Sequence, residues 1–178
     1  MLIPLQGESI LRRAARQAIR ARLSPVVVVL GHEVAKARVE LESLPCQIAI
    51  NPDYSGPTSA SLHKGLMCLG PEIDAAVVIL ADMIFVSDLM LRTLVTRCRE
   101  TAALVVASRY DAVTAPPLLF RKRLFPELMT WNGEGCGRAL VERHRSEAVF
   151  AEWPIGLLTD VDTTADLQKA QALLRDQP

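Results

Sequence analysis

The chain has 178 residues, half of them hydrophobic, with 20 Lys+Arg against 20 Asp+Glu and a formal net charge of zero. That length suits one domain, over residues 1–178, with a sizeable core, and that hydrophobicity excludes intrinsic disorder. The charge balance argues against nucleic acid as a partner, because phosphate backbones are held by a basic face, but it leaves room for a small anionic ligand at a local site.

No apolar run reaches the roughly eighteen residues that a membrane span needs, so no membrane partner is expected. The opening MLIPLQGESILRR has a short apolar start and then charge, unlike a signal peptide. The cysteines, Cys46, Cys68, Cys98 and Cys136, form no CxxC pair. A zinc site or disulfide framework is therefore not expected, and a reducing, cytoplasmic setting is. Cys46, Cys68 and Cys98 lie among apolar residues and read as small core residues.

Taken in chain order, the first element is a helix over Ser9 to Arg22, with Ile10, Ala14, Ala18 and Ala21 on one stripe and arginines opposite. PVVVVLG (Pro25 to Gly31) follows as a β-branched strand buried on both faces, and CQIAINP (Cys46 to Pro52) as a shorter one. AAVVILAD runs apolar from Ala75 to Leu80 and Ala81 and meets a carboxylate at Asp82. A helix over Val86 to Glu100 carries Leu89, Leu91, Leu94 and Val95. AALVVAS (Ala102 to Ser108), PPLLF (Pro116 to Phe120) and AVFAEW (Ala148 to Trp153) are further strand candidates. The last segment, DTTADLQKAQALLRD, opens with a capping box of Thr163 and Asp166. Strand and helix signals alternate, which predicts an α/β fold with a mostly parallel sheet and helices on both faces.

In such sheets ligands bind beyond the carboxyl ends of the strands, and Asp82 stands at such an end. A strand-end Asp can instead cap the next helix, but Ser87 is at least as good a cap there. Asp160 and Asp162 alternate, so in an extended segment both point the same way and could hold a divalent cation with Asp82. Magnesium suits one or two carboxylates plus phosphate oxygens and water. The competing reading is that Asp162 and Thr163 only begin the last helix. His32, His63 and His144 carry no catalytic signal and are expected to face solvent. Trp131 and Trp153 are expected in the core.

The stretches LIPLQGESILRRAARQAI, PVVVVLG, NPDYSGPTSASLHKGL, VVILADMIFVS, PPLLFRKRLFPEL, GEGCGRAL and LTDVDTTADL, in this order, resemble the nucleotidyltransferase superfamily. Its fold is a GT-A-like, three-layer Rossmann-like α/β arrangement, and the chain most resembles the molybdenum cofactor cytidylyltransferase branch. The resemblance implies transfer of a nucleoside monophosphate from CTP or GTP to a molybdopterin-like acceptor, with release of pyrophosphate and with Mg²⁺ as cofactor. By position, Asp82 resembles the metal-binding aspartate of a G-D-M-P motif. Asp160 and Asp162 fall in a D-x-D-T motif, Asp162 being the better candidate to complete the catalytic metal site. Asn51, Ser59 and Ser61 fall in a segment that faces nucleotide, although Ser59 and Ser61 could equally cap a helix through Leu62 to Leu69. Gly133, Glu134 and Arg138 match a loop expected near the acceptor.

The departures are as specific. The superfamily opens with a strand and an L-A-A-G-x-S-x-R-M-G-x-x-K phosphate loop, and neither stands in this sequence. The resemblance therefore implies a fold lacking its N-terminal strand, with a gap that a second copy, as a homodimer, or a rearranged sheet would cover. G-D-M-P reads Ala81-Asp82-Met83-Ile84, a glycine is replaced by Pro57 and another by Ala115, and an aspartate by Glu134. Pro57 removes an N–H that could have met phosphate. These losses leave a second reading open, a non-catalytic protein of the same fold that binds a pterin, a nucleotide or a partner protein.

Overall fold

The computed structural model describes residues 1–159. The chain opens with a two-residue hairpin, β1 (Pro4–Leu5) and β2 (Glu8–Ser9), closed by Gln6 and Gly7. Both turn residues have positive φ (51° and 87°), as a tight hairpin turn matched to strand twist requires. Helix α1 (Ile10–Arg20) starts at Ser9, whose Oγ accepts from the Arg12 amide at 3.1 Å. It is followed by β3 (Val27–Leu30), α2 (Val34–Leu41) and β4 (Gln47–Ile50), a parallel β-α-β unit in which Val27 pairs with Gln47 and Leu30 with Ile50.

Next come α3 (Thr58–Leu66), β5 (Ala75–Val78) and α4 (Asp88–Glu100). A hairpin of β6 (Val105–Tyr110) and β7 (Val113–Arg121) leads to α5 (Phe125–Thr130), α6 (Cys136–Arg143) and β8 (Ala148–Trp153). The second sheet has the order β5-β7-β6-β8; β7 is antiparallel to both its neighbours, while β6 and β8 are parallel. The fold is thus the expected Rossmann-like α/β arrangement, with one antiparallel strand inside the larger sheet. Its central strand β6 is almost wholly buried, and Phe120, Leu128, Leu140 and Val105, each at 0% exposure, fill one core beneath it.

The strand leading to Asp82 is shorter than the apolar run suggests. Pairing of β5 with β7 stops at Val78 opposite Leu118, and the next residues of β7 in that direction are Pro117 and Pro116. Neither proline has an N–H to donate, so the ladder cannot continue. The same two prolines break the β6–β7 register between Ala107 and Ser108. Their carbonyls are met by side chains instead: Ser108 Oγ donates to Pro117 O and Tyr110 Oη to Pro116 O, each at 2.8 Å.

Among the described residues the two parallel strands β3 and β4 share no ladder with the four-stranded sheet. Between the open edge of β3 and the open edge of β5 lies a cleft of about 1190 Å³. Val27, Val28 and Val29 and the whole of β5 are apolar yet only half-buried, because among the described residues each lacks a neighbour on that side. Ala14 and Ala18 of α1 line the cleft, and so do Ser61 and Gly65 of α3. Leu30, at the carboxyl end of β3, belongs to a hydrophobic cluster against which Leu2 and Ala81, three residues past β5, also pack. No helix of the described residues is long and apolar enough to cross a membrane.

Candidate functional site

Asp82 sits in a turn four residues past the end of β5 and is half-buried. The apolar residues after it explain its position. Met83, Ile84, Phe85 and Val86 are 3%, 2%, 7% and 5% exposed. Met83 and Val86 pack with Met90, Leu91 and Tyr110, whereas Ile84 and Phe85 pack with Leu5 and Ile10. The turn is therefore pinned from behind, and Asp82 is held in place just beyond the end of β5. Ser87, not Asp82, caps α4, accepting from the Met90 amide at 3.3 Å. Arg13 donates through Nε to the Ile84 carbonyl at 3.1 Å, and burial lowers the pKa of its guanidinium below the ordinary arginine value.

The predicted nucleotide-facing residues come together at the end of β4 and the start of α3. Asn51, 1% exposed, donates through Nδ2 to Ser61 Oγ at 3.0 Å, and its Oδ1 accepts from the Asp53 amide at 3.1 Å. Ser59, 2% exposed, accepts from the Gly133 amide at 3.1 Å. Helix α3 starts at Thr58 with Pro57 as its cap residue, so Ser59 and Ser61 lie inside the helix and neither caps it. Glu134 joins the same group: its carboxylate accepts from the Thr58 amide at 2.9 Å and from Thr58 Oγ1 at 2.6 Å. The Thr58 hydroxyl and amide hold that carboxyl below the usual range.

Gly133 and Glu134 are therefore brought against the start of α3, beside the Asn51–Ser61 pair. Thr58, Ser59, Ser61, Glu134 and Arg138 line the cleft together with Leu80 and Ala81, the two residues before Asp82. Arg138, in the first turn of α6, is exposed and makes no hydrogen bond or ion pair among the described residues. Sequence reasoning missed Thr58 and Arg13. Thr58 could have been found as the first residue after Pro57, where a helix start leaves free N–H groups. Nothing local marks Arg13.

Asp160 and Asp162 lie outside the described residues. Among the described residues no group of three or more His, Cys, Asp or Glu side chains could hold a metal. Asp82 offers one carboxylate directly after the cleft-lining Leu80 and Ala81, a donor type that suits a cation taking one or two carboxylates and filling its other positions with phosphate oxygens and water.

Three expectations need correction. Cys68 is exposed, since it follows α3 on the solvent side, whereas Cys98 and Cys136 are buried and Cys46 is half-buried. His63 does not face solvent; its Nε2 lies 3.0 Å from the Leu128 carbonyl and ties α3 to α5. His144, at the end of α6, has a half-buried side chain 2.7 Å from Glu127. His32 is exposed as expected, and Trp131 and Trp153 pack on the hydrophobic clusters.

The sequence model described as a MobA-like NTP transferase domain matches residues 1–149. No curated protein matches the chain. Among solved structures, the manganese complex of Rv0371c from Mycobacterium tuberculosis is 22% identical, with a TM-score of 0.80, covering 96% of this chain and 90% of that one. A nucleotidyl transferase from Methanothermobacter is 18% identical, with a TM-score of 0.83 and coverages of 99% and 85%. Molybdopterin-guanine dinucleotide biosynthesis protein A from Archaeoglobus fulgidus is 17% identical, with a TM-score of 0.65 and coverages of 99% and 90%. At these identities the likeness is one of fold.

Proposed function

The chain belongs to the MobA-like NTP transferase family, and on that premise we propose that it transfers CMP from CTP to a molybdopterin-like acceptor. In this reaction an acceptor phosphate oxygen forms a bond to the α-phosphorus, the bond from that phosphorus to the bridging β-oxygen breaks, and pyrophosphate leaves. The observation that carries the reading is the shared cleft mouth. There Leu80 and Ala81, the two residues before Asp82, line the cleft together with the start of α3 and with the Glu134–Arg138 segment.

Asp82 and Asp162, with Asp160 two residues before Asp162, are the residues that would hold Mg²⁺. When bound, that ion neutralises phosphate charge and helps align the attack. The remaining roles fall to this chain's own groups. Asn51 and Ser61 fix the wall that faces the nucleotide, with the Asn51 amide locked between Ser61 Oγ and the Asp53 amide. Ser59 couples that wall to Gly133. Arg138 is an uncommitted cation on the acceptor side, suited to a phosphate-bearing group.

Calorimetry with CTP tests the reading. Binding should require Mg²⁺ and should weaken at least about tenfold in Asp82→Ala and in Asp162→Ala, with a smaller loss in Asp160→Ala. Binding that is equal without Mg²⁺ overturns the metal role. Mg²⁺-dependent binding with no pyrophosphate release from any pterin acceptor favours the non-catalytic reading instead.

A further inference from the structure

Glu134 is fully exposed, yet it makes two hydrogen bonds to Thr58, 76 residues away in sequence. It is flanked by Gly133 at φ 131° and Gly135 at φ 69°, conformations that side-chain-bearing residues rarely adopt. The elements on either side are anchored. Helix α6 buries Cys136, Leu140 and Val141, and α3 buries Ser59 and Leu66. The short strap between α5 and α6 is thus tied to the first residue of α3 by a solvent-exposed carboxylate, and both Glu134 and Thr58 line the cleft.

We propose that Glu134 is a latch and a positioning residue: it holds the strap closed, and its release hands the Thr58 amide and hydroxyl to a phosphate-bearing ligand at the cleft mouth. The inference rests on the nucleotide reading of that cleft. The carboxylate occupies the two donors that would otherwise face the ligand, so latch and ligand compete. A charged acceptor is needed for this. The aspartate expected by resemblance is one methylene shorter than Glu134, whose carboxylate meets both Thr58 donors. Exposure makes the exchange feasible, since both partners are re-solvated when they part.

Two measurements test the latch. The first uses no nucleotide: in Glu134→Ala, hydrogen exchange at the Thr58 amide should speed up at least about tenfold, while Leu140 in α6 keeps its protection. Unchanged exchange at Thr58 overturns the proposal. The second is calorimetry with Mg²⁺ and CTP. A group that merely supported the fold would weaken binding when removed. A competing latch does the reverse, so Glu134→Ala should bind CTP about three- to tenfold more tightly, and Thr58→Val should abolish that gain in the double variant. CTP affinity unmoved or weakened in Glu134→Ala overturns the latch alone. CTP binding by no variant overturns both the nucleotide reading and the ligand side of the latch.

Discussion

The Nδ2 of Asn51 donates to Ser61 Oγ at 3.0 Å, from the end of β4 to the second turn of α3. Asn51 is 1% exposed, so no bulk water can replace that acceptor. Ser61→Ala leaves a buried amide hydrogen without a partner, at a cost of about 1–3 kcal/mol. Thermal or denaturant unfolding should show that loss. If Asn51 faces nucleotide through this bond, CTP affinity should fall in the same variant, whereas stability lost with affinity intact would make the bond purely structural.

Gly137, in the first turn of α6, is required by close packing and not by backbone conformation. A Cβ there would stand 2.7 Å from Leu118 Cδ1, and Leu118 is itself 2% exposed. Gly137→Ala should destabilise by about 1–3 kcal/mol through overpacking. Gly156, where a Cβ would meet nothing within 4 Å, is the control, and Gly156→Ala should be close to neutral in the same unfolding experiment.

Glu127 supplies a pH dependence with a definite sign. His144, at 2.7 Å, and the neighbouring Arg143 hold its carboxyl below the ordinary value of 4.5. A depressed carboxyl contributes stability that is fully present above its unfolded value and is lost as pH falls through the lower folded value. Melting temperatures of wild type and Glu127→Gln should therefore differ above about pH 4.5 and converge in stronger acid. Curves that stay parallel down to pH 2–3 would remove Glu127 from the acid response.

Much of the frame was legible because apolar runs and helix periodicity are local signals. The segment AVFAEW is β8 residue for residue, and Ser87 is the cap that its position before Asp88 suggests. The end of β5 was not legible, because it is decided by a partner strand: two prolines in β7, some forty residues later, stop the ladder before it reaches Asp82. The candidate site was read as a set of motif positions, and the structure pairs Asn51 with Ser61, Ser59 with Gly133 and Glu134 with Thr58. What Glu134 touches could not be read, since a contact across 76 residues leaves no pattern along the chain. Cys68 and His144 were misplaced for a related reason, as burial near a helix end depends on what packs against it and not on the helix period.

The open edges of β3 and β5 have a mechanical meaning. Where a sheet is continuous, ladder bonds set the spacing of its strands rigidly at about 4.8 Å. Here nothing of that kind joins the β3–β4 pair to the larger sheet among the described residues. The two halves are held by helical struts: α1 packs on α2 and α4, and α3 on β3 and α5. The width of the cleft is then a property of side chains such as Ala14, Ala18 and Gly65, and a single added methyl group on a strut acts as a shim between two plates.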